Sequence, residues 1–495
     1  MPYSNYRGPG VDVSIERREV EQKSPETQFY PVFIGTGVTS RNRSIQKKNI
    51  RANTEKFPQV TLTFDLIGDM NFDLFDVTKF QIGQVVVTRA SAPQGESATV
   101  ALEPNTDFTV VKNVTFNAND STVSVVLNIT SSKVVANDAV YELNITASNA
   151  DKDFDLRLMG TENRFYSKDI FGHPVLKEDD NEFYNDIAIA AEIAFRMQVP
   201  RFYYLEVPRD YGKEPSLADF KAAVEKVYYF EDAYRIVPLT SKPEIANILN
   251  NFVSGVSNPK DRRETVSFVS YDTTKIENLF SIDELVTKVG GYSESLNSKR
   301  VCNVFCGDSV ELRMEDQLYV LPAFYMSVAV ACLDAVIGKV DPLSLREITV
   351  FEKINAPRFR PVQWDMLAKR GVFIVVKDND RVNAKIRHQL TTAQTNIASD
   401  QEYSVVKNLD VVTKKFRDRL SVYAGQYNVD SGYLERLEGT TATVRQEVLE
   451  ERLAKSITII TAWQINETGD GRDLVTRMQM DPVYPANHLD VYLVI

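Results

Sequence analysis

Cysteine, histidine and tryptophan are all scarce in this chain of 495 residues, and their scarcity argues against several kinds of site. The sequence has three cysteines, three histidines and two tryptophans. An odd number of cysteines in so long a chain argues against a disulfide framework. A zinc site needs about four ligands, usually in recognisable pairs, but no second pair accompanies Cys302 and Cys306. We therefore expect these two residues and Cys332 to be core thiols and predict no metal site.

Long apolar runs are also missing. The longest extends from Ala323 to Ile337 and is interrupted by Asp334. A membrane-spanning helix takes about 20 apolar residues, so this stretch is more typical of a buried helix. The first residues carry no apolar run behind a basic start, so we expect neither a secretory signal nor direct insertion into a membrane.

Positive charge is outnumbered by negative charge. The formal net charge is −11 and the isoelectric point is about 5.1. Neutralising phosphates takes concentrated lysine and arginine, so we expect no direct binding of nucleic acid. One local basic cluster is interpreted as a solvated loop; it comprises Arg41, Arg43, Lys47, Lys48 and Arg51.

Recognisable catalytic and cofactor motifs are absent as well. The Gly35-Thr36-Gly37 sequence lacks the third glycine of a dinucleotide loop, because residue 40 is Ser40. The carboxylates between Glu178 and Glu182, close to His173, lack the ligand spacing and the glycine of a calcium loop. We interpret them as acidic residues at the start of a helix. No catalytic residue and no cofactor is therefore predicted.

Alternating apolar residues predict a half-buried strand near each terminus. The residues on the apolar faces are Val11, Val13 and Ile15 at one end, and Leu489, Val491 and Leu493 at the other. An isolated strand cannot satisfy its own backbone hydrogen bonds. Each strand must therefore dock on a sheet, either that of its own subunit or that of a neighbour by strand addition.

Three patterns follow one another between the termini. Residues 60–150 contain short Val-, Thr- and Ile-rich runs separated by turns, which predict a small β-sandwich or barrel. Residues 181–340 alternate helix and strand, with helices expected from about residues 180 and 320, and predict a mainly parallel α/β layer. Residues 345–480 are predicted as α+β, with a helix ending at Gly371 and two longer helices at 409–427 and 440–453.

Several motifs in this order resemble the sheath proteins of contractile bacteriophage tails. The resemblance covers about residues 1–40 and 350–495. The family's usual Gly-Pro after the first core strand is replaced here by Thr36-Gly37. The motifs are Pro9-Gly10-Val11, Val32-Phe33-Ile34-Gly35, Asn355-Ala356, Gly371-Val372, Arg387 to Thr391-Thr392, Asp410-Val411-Val412 and the C-terminal DPVYPANHLDVYLVI.

The resemblance implies an α+β multidomain fold. It would have an α/β layer, a C-terminal α+β sheath core, an inserted all-β domain and extended terminal strand arms. The expected segments are an N-terminal arm and linker (1–28), the start of the sheath core (29–59), the β-rich insertion (60–150), the α/β domain (151–345), the C-terminal core domain (346–481) and the C-terminal arm (482–495).

The resemblance also implies a structural role and not an enzymatic one. Sheath subunits form stacked hexameric rings and a helical polymer around a tail tube, and their contraction drives the tube through the host envelope. The implied partners are other copies of the chain, the tail tube protein, and the baseplate and tail terminator proteins. The implied location is the virion tail, assembled in the host bacterial cytoplasm. The sheath of a related contractile injection system and a multidomain α/β enzyme remain alternatives.

Overall fold

The fold was obtained as a computed structural model, which describes most of the chain between residues 29 and 485. The described residues are 29–37, 41–56, 59–65, 80–88, 97, 99–114, 122–129, 140–147, 156–160, 171–178, 181–210, 214–258, 261, 263–272, 281–314, 316–337, 341–377, 383–423, 431–465 and 474–485.

The described part of the chain contains strands along its whole length. In chain order they are β1 (Tyr30–Gly35), β2 (Arg41–Lys56), β3 (Gln59–Asp65), β4 (Phe80–Thr88), β5 (Thr99–Leu102), β6 (Phe108–Val114), β7 (Thr122–Ile129), β8 (Val140–Ala147), β9 (Arg157–Gly160), β10 (Val175–Glu178), β11 (Asn181–Tyr184), β12 (Arg201–Glu206), β13 (Arg209–Asp210), β14 (Ala233–Pro238), β15 (Val266–Val269), β16 (Val301–Phe305), β17 (Ser309–Met314), β18 (Gln317–Pro322), β19 (Glu347–Ile348), β20 (Lys353–Asn355), β21 (Val372–Val376), β22 (Ala384–His388), β23 (Ala454–Ile465) and β24 (Leu474–Pro482).

The described residues also contain α-helices, which alternate with strands from residue 186 onward. In chain order they are α1 (Asp186–Arg196), α2 (Leu217–Lys226), α3 (Pro243–Val256), α4 (Ile282–Leu296), α5 (Tyr325–Val336), α6 (Pro361–Lys369), the short α7 (Ala398–Gln401), α8 (Tyr403–Ser421) and α9 (Ser431–Glu450).

The largest sheet is the α/β layer. Among the described residues it has nine strands, in the order β19-β22-β21-β16-β15-β14-β1-β12-β9. The strands from β12 to β21 along this order run parallel to one another, with β1 between β12 and β14. The sequence correctly predicted a parallel layer from the alternation of helices and strands. It did not predict that β1, which precedes the other parallel strands by more than 160 residues, is a central strand.

Helices cover both faces of this sheet. The alternation along β1 separates the two faces, because Phe33 packs with α1 and α5 whereas Val32 and Ile34 pack with α2 and α3. Val32, Phe33 and Ile34 are all fully buried. The sheet is therefore the inner layer of a three-layer arrangement, which is the usual solution for parallel strands.

The strands between residues 41 and 147 form a second sheet. Within the described residues the hydrogen-bonded order is β5-β4-β8-β2-β3-β7-β6, and β13 pairs with β2 at its start. The long strand β2 pairs with β8 through its first part and with β3 through its last part. All six strands predicted within residues 60–150 are present. The basic segment of residues 41–51 was wrongly interpreted as a solvated loop, since it belongs to β2.

Two predicted helix starts were wrong for the same reason. The helix expected from Asp180 begins at Asp186, after the β10–β11 hairpin. The helix expected from about Val320 begins at Tyr325, after β18. In both places a short strand runs directly into a helix, so the prediction includes residues of the strand in the helix. Glu178 pairs with Asn181 and Glu182 pairs with Lys177 in this hairpin, so neither glutamate lies at a helix start.

The two C-terminal helices both begin earlier than predicted. The helix expected at 409–427 starts at Tyr403, and the one expected at 440–453 starts at Ser431. Most residues in the first turns of α8 are buried, including polar Ser404 and Asn408. Buried polar residues weaken the apolar periodicity by which a helix is recognised.

The remaining chemical expectations concern cysteines, metals and membranes. Cys302, Cys306 and Cys332 are buried and free, so the prediction of core thiols is confirmed. The described residues hold no cluster of ligating side chains suited to a metal ion. Of the described helices, none combines the length and apolar character that a membrane crossing requires.

The turn between α6 and β21 depends on a glycine, as the sequence predicted. Gly371 follows the helix in a left-handed conformation, with φ of +72°. A Cβ atom at this position would lie 2.7 Å from the carbonyl oxygen of Thr391. Glycine alone adopts this conformation without a steric cost. The turn therefore fixes how the Arg387 to Thr392 segment lies against α6.

Replacing Gly371 with alanine should destabilise the protein. We expect Gly371→Ala to lower the free energy of unfolding by at least about 2 kcal/mol, because left-handed strain and the contact with Thr391 add together. The matched control is Gly439→Ala on α9, where a Cβ would meet nothing within 4 Å. It should raise stability by about 0.5–1 kcal/mol. Urea denaturation checks both, and equal effects would contradict this account of the turn.

Candidate assembly interface

The C-terminal helices and the last two strands form one structural unit, which we call the platform (α8, α9, β23 and β24). Its interior is apolar. The buried residues of this cluster are Val411, Val412, Val444, Val448, Leu453, Ala454 and Ile457. At the surface, Arg419 Nη2 lies 3.0 Å from Glu447 Oε1 and links the two helices. Such exposed ion pairs contribute little to stability, so apolar burial holds the platform together.

One face of the β23–β24 hairpin docks on α9. Ile457 is 3% exposed and belongs to the cluster inside the platform. Further along β23, Trp463 Nε1 donates a hydrogen bond to Thr441 Oγ1 at 2.9 Å, and Thr441 is buried on α9. The opposite face is open, since Ile460 is 63% exposed. The pairing of β23 with β24 is irregular in register around Ile459 and Thr461. The irregular stretch contains the consecutive isoleucines Ile459 and Ile460.

The edges of this hairpin are available for further strands. Within the described residues the sheet contains β23 and β24 and no third strand. The two strands have 12 and 9 residues, so both edges are long. An unpaired edge presents a row of backbone N–H and C=O groups that can template another strand. A two-stranded sheet is also marginally stable by itself, so added strands would stabilise it.

The N-terminal linker joins the fold beside the platform. The ring of Phe29 stacks on Tyr234, with ring centroids 4.1 Å apart. Lys414 Nζ on α8 lies 5.2 Å from the Phe29 ring centroid, and Phe29 also packs against the apolar cluster of the platform. The Tyr30 N–H then donates to the Asp232 carbonyl at 2.8 Å, where β1 begins. Phe29 is thus the root of the predicted N-terminal arm.

Tyr234 remains a protonated hydrogen-bond donor under the Phe29 ring. Burial raises the pKa of its hydroxyl well above the usual value, and the charge of Asp410 raises it further. The hydroxyl donates to Asp410 Oδ2 at 2.7 Å. The surface on which Phe29 stacks is therefore fixed by a hydrogen bond to α8.

The root of the predicted C-terminal arm lies on the same platform. β24 ends at Pro482, which pairs in register with Ala454 at the start of β23. Two residues later, the ring centroid of Tyr484 lies 5.5 Å from Lys455 Nζ. The roots of both predicted arms therefore lie at the platform, whose sheet has two strands within the described residues.

The residues predicted to make strand contacts between subunits lie outside the described residues. They are Val11, Val13, Ile15, Leu489, Val491 and Leu493. The α+β prediction for residues 345–480 covers both β23 and β24, but it did not identify them as a separate two-stranded sheet. The signal in the sequence that could have indicated an exposed apolar surface on β23 was the Ile459-Ile460 pair, because adjacent residues of a strand point to opposite faces.

The two faces of β23 should respond differently to truncation. We expect Ile457→Ala to lower the free energy of unfolding by about 2–4 kcal/mol, because it leaves a cavity between the hairpin and the helices. Ile460→Ala is the matched control and should change stability by no more than about 0.5 kcal/mol. Chemical denaturation of the two variants measures the difference. A larger loss for Ile460→Ala would mean that the hairpin docks through its other face.

Comparisons with known proteins bear on the fold of this chain. No family model matches the chain, and no curated protein matches its sequence. The structure is similar to a chain in the baseplate of the anti-feeding prophage, with a TM-score of 0.51 and 9% identity over 70% of this chain and 89% of the other.

Two further solved structures are sheath assemblies in the contracted state. The helical sheath of the anti-feeding prophage gives a TM-score of 0.51 and 11% identity, covering 69% of this chain and 88% of the other. The PVC sheath complex of an extracellular contractile injection system gives 0.51 and 8%, covering 70% and 88%. The resemblance drawn from the sequence is confirmed in the fold: this chain has the mixed α/β fold of the sheath proteins of contractile injection systems.

Proposed function

We propose that the protein is the structural subunit of a contractile phage tail sheath. Its subunits polymerise as stacked hexameric rings around a tail tube, and contraction of the polymer drives the tube through the host envelope. The observation that carries this proposal is the platform, because it combines two open strand edges with the roots of two predicted strand arms. The sheath fold supports it independently.

The number of edges of the β23–β24 sheet equals the number of predicted strand arms. Each subunit offers two edges of the β23–β24 sheet and two alternating apolar strands, one near each terminus. Residues 17–28 can span about 40 Å when extended, so the N-terminal strand can reach a neighbouring subunit. Main-chain hydrogen bonds would supply affinity, and the alternating side chains would set the register. The mesh contacts are Val11, Val13, Ile15, Leu489, Val491 and Leu493.

Contraction needs no cofactor in this proposal. The strand bonds between subunits persist, while packing between the remaining surfaces changes from one arrangement to another. Many modest contacts repeated along the polymer supply the free energy. The partners are the tail tube, the baseplate and the tail terminator proteins, in a virion tail assembled in the host cytoplasm. The role is structural and not enzymatic.

The six segments assigned from the sequence are proposed as the domain division. The β-rich part, residues 60–150, is proposed as an inserted domain that faces outward from the tube. Its strands pair with one another and with β2, a strand of the segment 29–59. Density that placed this part against the tube would exclude the outward position.

Two alternatives lead to different observations. The sheath of a related contractile injection system shares all the features above, and the similar structures include such systems. Neighbouring genes separate the two cases, since capsid and terminase genes mark a phage. A multidomain α/β enzyme would bind a small ligand at the carboxyl ends of the parallel strands, which a ligand screen tests.

Removing either arm should abolish assembly without unfolding the subunit. We expect chains lacking residues 1–16 or 486–495 to remain folded monomers, because the described core keeps its buried contacts. A sharper variant replaces Val11, Val13 and Ile15 with threonine, and its control changes the opposite face with Asp12→Asn, Ser14→Thr and Glu16→Gln. Electron microscopy should show tubes only for the wild type and the control. Tubes formed by either truncated chain would rule out the arm mechanism.

A further inference from the structure

A buried cluster of charges joins the main sheet to the platform. At its centre is Asp334 on α5, which is 1% exposed. Its carboxylate accepts hydrogen bonds from Arg235 on β14, from Tyr403 Oη at 2.6 Å and from Lys407 Nζ at 2.9 Å. Arg235 belongs to the sheet, whereas Tyr403 and Lys407 lie in the first turns of α8. One carboxylate therefore holds three separate elements.

Arg235 extends the cluster to the root of the N-terminal arm. Its Nη1 donates to the carbonyl oxygen of Phe29 at 2.5 Å, and its Nη2 donates to the carbonyl oxygen of Asp334 at 3.1 Å. The guanidinium is planar and presents its donors in a fixed geometry. The position of Phe29 is thus tied to that of Asp334, and through Asp334 to α8.

A second carboxylate, three residues beyond Lys407 on α8, repeats the connection. Asp410 Oδ2 accepts hydrogen bonds from Tyr234 Oη at 2.7 Å and from Arg300 Nη1 at 2.5 Å. Tyr234 is the residue on which Phe29 stacks. The arm root and the first half of α8 therefore share two neighbouring anchor points on β14, through Tyr234 and Arg235.

The charge on Asp334 is constant over the ordinary range of pH. Burial alone would raise its pKa, but the charges of Arg235 and Lys407 and the hydrogen bonds from Tyr403 and Lys407 lower it to about 2. Its stabilising contribution is complete above the unfolded pKa and is lost only as the pH falls from about 4 to about 2. The cluster is consequently a permanent connection and does not switch with pH.

We infer that Asp334 and its partners form a fixed joint, which makes the arm root, the main sheet and the platform move as one body. Arg235, Tyr403 and Lys407 are positioning residues in this joint. The inference rests on the proposed function. In a sheath, such a joint keeps the N-terminal arm at a constant direction relative to the β23–β24 edges while subunits rearrange. Force on an arm would then be transmitted to the sheet instead of bending the chain between β22 and α8.

Hydrogen exchange of the full-length chain, at a concentration at which it is monomeric, tests the joint. Lys407→Met removes the ammonium group and leaves Asp334 and Arg235 as an ion pair with no net charge. The expected result is a rise of at least tenfold in the exchange of the Tyr30 amide and of the α8 amides around Lys407, with β15 and β16 unchanged. Lys415→Met, whose side chain pairs with Glu451 at the platform surface, is the control. Faster exchange confined to α8, or no change, would overturn the inference.

A second variant keeps the test decisive if Lys407→Met does not fold. Phe29→Ala removes the ring from Tyr234 but leaves every side chain around Asp334 in place. Because coupling between two sites is reciprocal, this change should accelerate exchange of the α8 amides at least threefold. Unchanged exchange in α8 would show that the arm root is independent of the platform.

An assembly assay separates this inference from the proposed function. We expect Lys407→Met to need at least a tenfold higher protein concentration than Lys415→Met to form tubes. If the wild type forms no tubes with a tail tube present and the exchange rates are still coupled, the joint stands and the proposed function fails. If the wild type forms tubes but the two variants assemble alike and exchange is uncoupled, the joint fails and the function stands.

Discussion

The salt-bridged carboxylate of Asp334 is the contact on which the arrangement of the described core depends. Taking charges out of water is costly, and a buried ion pair is tolerated only when hydrogen bonds satisfy its members. Here the sheet supplies Arg235 and the platform supplies Lys407 and Tyr403. Moving either element away would leave charge buried without its partner. In the joint that we infer, this cluster therefore favours one relative position of the sheet and the platform.

The fixed core contrasts with the open edges that it presents. The hairpin β23–β24 docks through one face, and within the described residues its edges pair with no other strand. Each backbone hydrogen bond made by an added strand contributes about 1 kcal/mol net, which the ordering of an arm partly offsets. A single added strand is therefore a modest contact. In a polymer the same contact is repeated at every subunit, so the total free energy of association is large.

Local patterns in the sequence predicted local structure well. Runs rich in Val, Thr and Ile between turns found the strands between residues 60 and 147, the alternation of helices and strands found the parallel layer, and Gly371 marked a helix end. Basic residues in β2 hid a strand because charge was taken as a sign of a loop. Two strand-to-helix boundaries, at Tyr184 and Pro322, were missed because a short strand runs directly into a helix at each.

Contacts between distant residues could not be predicted in the same way. Asp334 stood out as the interruption of the longest apolar run, but its partners lie 99, 69 and 73 positions away. The central position of β1 likewise depends on pairing with strands far along the chain. The platform emerged as a candidate interface only when its edges and both arm roots were seen together. Sequence order carries no direct information on any of these proximities.

Helical reconstruction by electron microscopy of the purified protein, polymerised at high concentration or on a tail tube, tests the central claim most directly. The account predicts stacked sixfold rings in which each β23–β24 hairpin carries a third and a fourth strand from other subunits, formed by residues around Val13 and Val491. A polymer in which the hairpins remain two-stranded, with both arms folded on their own subunit, would contradict it.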